Sequence, residues 1–179
     1  MDKKIIQPLQ DRTNAKLRYA QIHIDELRQM EQLNGSDFDR AHQESFLFHL
    51  MGAKDAFLIE LNLYYGTNLS NRNLSAGKIT QALKEYDRAS PELLELHNLE
   101  KDKSSWYFHA KEMRDYLTHV SAVSRHYHLG GPYHQQVWLS NPNTGQPIKQ
   151  HFVNEFDNWM SNMKNLLDRL RFSAIQNNK

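Results

Sequence analysis

Apolar residues recur at three- and four-residue steps along almost the whole chain, and that spacing is the period of an amphipathic helix. Leu17, Ala20, Ile24, Leu27 and Met30 form one such stripe, and Phe46, Leu50, Ala53, Phe57 and Leu61 form another. Phe152, Phe156, Trp159, Met163, Leu166 and Leu170 form a third near the end. Seven glycines and five prolines are few for 179 residues, and they gather where the stripes break.

The breaks divide the chain into predicted elements. A first helix runs from about Leu9 to Leu33 and stops at Asn34-Gly35, with Ser36 or Asp37 capping the next. The second runs to about Tyr65 and is closed by Gly66. A shorter helix covers Leu74 or Ser75 to about Arg88. Ser90-Pro91-Glu92, an N-cap followed by proline in the first turn, opens another through Leu93, Leu96 and Leu99. A long helix is expected from about Ser104 to Tyr127, and a last one from about Gln150 to Phe172. Residues 130–150 break the helical pattern with Gly130-Gly131-Pro132, then Val137-Trp138-Leu139, then Asn141-Pro142-Asn143-Thr144-Gly145. That segment reads as a flap or small β-hairpin with a turn at NPNTG, its Tyr133, Val137 and Trp138 covering an edge of the core. The expected fold is all-α: a bundle of four main helices with short ones added, in a single domain over 1–179.

Composition removes several function classes. There is no cysteine, which excludes disulfides, thiolate metal sites and cysteine nucleophiles. A formal charge of +1 gives no molecule-wide attraction for nucleic acid, so any basic footprint must be local. No apolar run reaches the roughly 18 residues of a membrane span, and MDKKIIQPLQDR lacks the apolar stretch of a signal peptide. A cytoplasmic protein without a membrane partner is expected.

The segment 112–131, EMRDYLTHVSAVSRHYHLGG, concentrates polar chemistry on one predicted helix. At 100° per residue, Met113, Tyr116, Leu117, Val120, Val123 and Tyr127 share a core-facing stripe. Asp115, His119, Ala122 and His126 line up on a second stripe, and Arg114, Thr118, Ser121 and Arg125 on a third beside it. Any amphipathic helix sorts its polar residues outward, so the content of the stripes matters more than their existence. Asp115 and His119 are four apart, where a carboxylate can accept an imidazole N–H and raise the pKa of a general acid–base histidine. Arg114 supplies a permanent charge and a donor fork suited to phosphate oxygens. Arg125 would continue that charge about 16 Å along the axis, at 1.5 Å per residue.

Arg114-Asp115-Tyr116-Leu117-Thr118-His119 resembles the R-x4–6-H motif of the HEPN superfamily, with a polar residue directly after the arginine. The resemblance implies a small all-α bundle, which agrees with the helical pattern, and a metal-independent endoribonuclease. It implies catalytic roles for Arg114 and His119 with Asp115 in support, while Thr118, Arg125 and His126, on the two polar stripes, are the residues expected to bind substrate. It also implies an RNA substrate, attack by the 2′-hydroxyl on the adjacent phosphate, and a homodimer that brings two motifs together. The biological setting implied is a toxin with a cognate antitoxin protein, or an antiphage effector. The 130–150 segment departs from the minimal family pattern and marks an elaborated subgroup. The same spacing occurs at Arg18 to His23, without the polar second residue and with Ile22 and Ile24 flanking the histidine, so His23 reads as structural or surface.

Two rivals accompany this reading. His126, His128 and His134, or His42, Glu44 and His49, could be recruited as metal ligands. Yet the paired Glu-x-x-His motifs of a di-iron bundle are absent, so no metal and no cofactor is expected. The other rival is a non-catalytic binding module for a partner protein or nucleotide, in which Arg114 and His119 make hydrogen bonds without chemistry.

Overall fold

A computed structural model describes residues 3–30, 36–72, 74–120 and 123–176. Among them the chain forms α1 (Lys3–Gln29), α2 (Asp37–Tyr65), α3 (Ala76–Lys84), α4 (Pro91–Lys101) and α5 (Trp106–His119). β1 (Arg125–Tyr127), β2 (Val137–Leu139) and α6 (Phe152–Gln176) follow. The fold is a mostly helical bundle with a small antiparallel hairpin, as the apolar periodicity requires.

The helix starts follow local chemistry. Ser36, Ser75, Ser90 and Ser105 each turn a hydroxyl oxygen to accept a backbone N–H of the first turn, from Asp39, Lys78, Leu93 and Phe108. Gly66 closes α2 at φ +63°, a left-handed cap that suits a residue without a side chain. The stop expected at Leu33 and Asn34-Gly35 lies outside the described residues. α1 begins six residues before the expected Leu9 and runs through Pro8. So near the start, a proline removes little of the helical bonding. α3 ends at Lys84 instead of Arg88, because the chain turns at Asp87 and sends Arg88 to donate to the Tyr65 carbonyl.

α1 and α2 pack antiparallel, with His23 beside His42 and Lys16 beside His49. α6 lies antiparallel to α1, tied by Arg28 to Asp157 at 2.6 Å and by Lys164 to Gln21 at 3.2 Å. The three inward stripes read from the sequence are buried here, Leu17 and Met30 only in part. One apolar cluster draws residues from all six helices and β2. Glu60, buried in α2, takes both guanidinium arms of Arg171 from α6 at 3.2 Å, and that guanidinium lies over the Phe57 ring.

The long helix expected over 104–127 is corrected: α5 stops at His119, and Arg125–Tyr127 form a strand paired with Val137–Leu139. Ser121 and Ala122, which the helical stripes included, lie outside the described residues. Val120 is 68% exposed and Tyr127 48%, so the apolar stripe ends after Leu117, although Val123 is buried. Two things end the helix. The run from Val120 to Ser124 is rich in β-branched and serine residues of low helical preference. The strand then lets Arg125 reach a buried carboxylate, where a helix could not. Gly130-Gly131 therefore sits between two strands instead of ending a helix. The NPNTG turn forms as read: Gly145 adopts φ +68° and donates to the Asn141 carbonyl at 2.8 Å, and a bridge joins Ser140 to Pro147. Val137 and Leu139 join the core, so the flap covers an edge of it, whereas Trp138 packs against His128 and Tyr133 within the flap and Tyr133 is exposed, which corrects their expected place on the core edge.

Candidate functional site

Arg114 projects from the middle of α5 into a cleft of about 500 Å³ between α1, α2 and the segment before α3. Arg12 and Lys16, one turn apart on α1, enter the same cleft, with Met51, Ala56, Ile59 and Leu74 as its apolar side and Asn71 at its rim. The Lys16 stem passes over Gly52, where an added Cβ would meet its Cδ and Cε at an ordinary 3.5 Å. The Lys16 ammonium lies 4.7 Å above the Phe48 ring and 3.4 Å from His49 Nδ1. An ammonium only donates, so His49 accepts at Nδ1 and carries its proton on Nε2. Burial first, then Lys16 and His23, hold the His49 imidazole below the usual histidine value.

The charges do not cancel. Among the described residues no carboxylate pairs with Arg12 or Lys16. Asp55 lines the cleft, but its carboxylate meets Lys54 Nζ at 2.7 Å. Arg114 Nε stands 3.0 Å from Asp115 Oδ1 without the alignment of a hydrogen bond, and it is buried with no other partner. Behind Arg114 lies a smaller cavity of about 180 Å³, where Lys54 from α2, Glu100 from α4 and Tyr107 from α5 meet. Burial acts to lower the Lys54 ammonium, but Tyr107, Asp55 and Glu100 outweigh it and raise its pKa above the usual lysine value. Burial likewise pushes the Tyr107 phenol up. This cluster fixes the cation that neutralises Asp55 and leaves Arg12 and Lys16, with an Arg114 that shares Asp115 with Lys111, to set the sign of the cleft.

The residues read from the sequence part company. Asp115 gives Oδ2 to Lys111 Nζ at 3.0 Å and Oδ1 to Arg114, so its partners are these cations and not His119. His119 ends α5 on the exposed surface, and it lines neither of the two cavities around Arg114. The Thr118 hydroxyl donates back to the Arg114 carbonyl at 2.8 Å. The Arg125 side chain turns inward: two of its nitrogens each donate to an Asp39 oxygen at 2.8 Å, with side-chain exposures of 5% and 0% for the pair. His126 Nε2 lies 2.8 Å from Ser140 Oγ across the hairpin.

His23, in the second copy of the arginine–histidine spacing and read as structural or surface, is half-buried. It faces His42 with Nδ1 atoms 3.1 Å apart and stacks on His49 with ring centres 5.6 Å apart. Among the described residues no group of three or more histidine, aspartate or glutamate side chains is arranged to hold a metal, and no helix is long and apolar enough to cross a membrane. Sequence reasoning missed Arg12 and Lys16. Their signal was a cation pair at i and i+4 on α1, and a glycine inside an otherwise unbroken second helix.

No curated protein matches the chain, and no solved structure does. The HEPN resemblance thus rests on the residues of α5 alone. A family of unknown function, DUF6586, matches residues 8–175, and the chain belongs to it.

Proposed function

We propose that the protein is a helical binding module that captures a phosphate-bearing ligand, a nucleotide or a phosphorylated partner, in the cleft between α1, α2 and α5. One observation carries this: Arg12, Lys16 and Arg114 converge on the same cleft, and no carboxylate neutralises the first two among the described residues. Two guanidinium forks and an ammonium present donors in the number and geometry that a phosphate accepts. A cleft of about 500 Å³ is within the range of small-ligand sites, and its apolar side from Met51 to Leu74 suits the body of a nucleotide. Titration calorimetry with inorganic phosphate and with AMP tests the assignment. Both should bind, AMP more tightly, and Arg114→Ala should weaken both by at least tenfold while the thermal melt stays within a few degrees. A folded wild type that takes up neither ligand refutes the module.

The second reading is the metal-independent ribonuclease, and the position of Arg114 in a cationic cleft favours it. The arginine would stabilise charge on the transition state, and His119 would move protons. His119 is five residues on, about 140° round α5 and about 7.5 Å along it, so its imidazole points away from the cleft that Arg114 enters. A homodimer that places one chain's His119 at the other's cleft is then part of this reading, as is an RNA substrate. An antitoxin or antiphage role follows only from it. Cleavage of single-stranded RNA in EDTA, lost in both Arg114→Ala and His119→Ala, would establish the nuclease. Intact RNA beside bound AMP leaves the module. Both readings set the protein in the cytoplasm, where these ligands are.

A further inference from the structure

Lys16 reaches the cleft while held by His49. Its stem lies over Gly52, and its ammonium rests between the Phe48 ring and His49 Nδ1. That contact exists in one protonation state only. A neutral imidazole with its proton on Nε2 accepts from the ammonium, whereas a protonated one has no lone pair at Nδ1 and repels it. We propose that His49 is the positioning residue that sets the anion affinity of the cleft. When neutral it holds Lys16 back against α2, and when protonated it releases the ammonium toward the ligand and adds its own charge. The inference deepens the phosphate-binding reading and rests on it.

The surroundings of His49 agree with this role. From α1 it faces Lys16, Tyr19 and His23, and on α2 it has Phe48 beside it. His42 stands beyond His23, and Glu26 acts on His23 from one turn along α1. Across the cleft are Arg12, Arg114 and Asp55, the last taken by Lys54. No described carboxylate is in contact with His49, so none holds the proton in the absence of a ligand. An oxyanion arriving beside Lys16 supplies the missing negative charge, and proton uptake and anion uptake then favour each other.

Sulfate is the probe, because its charge is constant between pH 5.5 and 7.5 where phosphate's is not. At fixed ionic strength the wild type should bind sulfate about fivefold more tightly at pH 5.5 than at pH 7.5, because one added charge a few ångströms away in a partly exposed site sets a limit of about tenfold and the free histidine is only partly protonated at the acid end. His49→Gln keeps an oxygen that can accept from Lys16 but cannot titrate. Its sulfate affinity should change less than twofold between pH 7.5 and pH 5.5. In the wild type alone, the NMR-observed pKa of His49 should rise by about one unit on saturation with sulfate, the tenfold limit read from the proton side. That second measurement decides the question should the variant not fold. Parallel pH profiles for the two proteins, or a His49 pKa indifferent to sulfate, overturn the role of His49 and leave the cleft standing. A wild type that is folded by circular dichroism and binds no sulfate at either pH overturns the cleft and this inference with it.

Discussion

Replacing Arg125 by methionine should unfold the protein more easily without touching the cleft. The two guanidinium nitrogens donate to separate Asp39 oxygens at 2.8 Å, and both side chains are almost wholly inaccessible. Removing one member of such a pair leaves a buried charge without its counter-charge, which costs about 3–5 kcal/mol. Asp39 sits in the first turn of α2, where the helix end favours an anion by up to about 1 kcal/mol. That cushion sets the expectation near 3 kcal/mol. For a chain of this size each kcal/mol lowers the midpoint by about 2–4 °C, so Arg125→Met should melt roughly 6–12 °C below the wild type. The double variant Asp39→Asn/Arg125→Met removes both charges and should recover more than half of the loss, giving a coupling above about 1.5 kcal/mol in a urea double-mutant cycle. Phosphate affinity at 10 °C should be unchanged in all three variants, because Arg125 is outside the cleft. A loss below about 1 kcal/mol refutes the pair as a structural lock. Normal stability with impaired anion binding would return Arg125 to the site.

Gly52→Ala should raise stability by about 0.5–1 kcal/mol, because an alanine costs less backbone entropy in a helix interior and its Cβ would meet the Lys16 stem at an ordinary 3.5 Å. A lowered urea midpoint would show that α2 needs the glycine after all. Stability should also fall with acid. The imidazoles of His23, His49 and His151 are held below the usual histidine value, burial being the first cause in each. The folded state thus favours their neutral forms. Their contribution is complete above about pH 6.5 and is lost as the pH drops through the lowered folded values. His151 adds a specific loss, since its Nδ1 accepts the Val153 N–H at the start of α6 and cannot do so once protonated. Glu155, raised by burial, pulls the other way, one group against three. A urea midpoint as high at pH 5.0 as at pH 7.5 would contradict this balance.

The periodic elements were legible because burial alone decides them: a stripe such as Phe152 to Leu170 has one way to leave water. Helix starts were legible for the same local reason, since Ser36 and Ser90 cap with their own hydroxyls. The end of α5 was not. Its apolar spacing continues the helical period past His119, and what breaks it is the low helical preference of Val120 to Ser124 together with a partner 86 residues away, Asp39, which Arg125 reaches from a strand. Asp115 misled in a similar way. The i,i+4 geometry offers it both Lys111 and His119, and the lysine has it in the structure, with Arg114 on its other oxygen. The cleft was half legible. Arg114 could be picked out by its motif, but Arg12 and Lys16 belong to a helix read only for its core stripe, and only the antiparallel packing of α1 on α2 aims them at Arg114.

This division bears on which function to prefer. Every group that phosphate capture requires is supplied by one chain: the two guanidinium groups and the ammonium converge without a partner, and the apolar side of the cleft is already formed. Cleavage asks for more. It needs a proton-transfer group within about 3 Å of the reacting oxygen, and His119, expected to serve Arg114, lines neither of the two cavities around that arginine. Asp115, whose carboxylate was to orient that histidine, is spent on Lys111 and Arg114. The imidazole in contact with a cleft cation is instead His49, on another helix and outside the motif, and it holds a lysine. An imidazole that holds and releases a cation tunes binding. It does not by itself transfer a proton to a leaving group, and that places the weight of the site on capture.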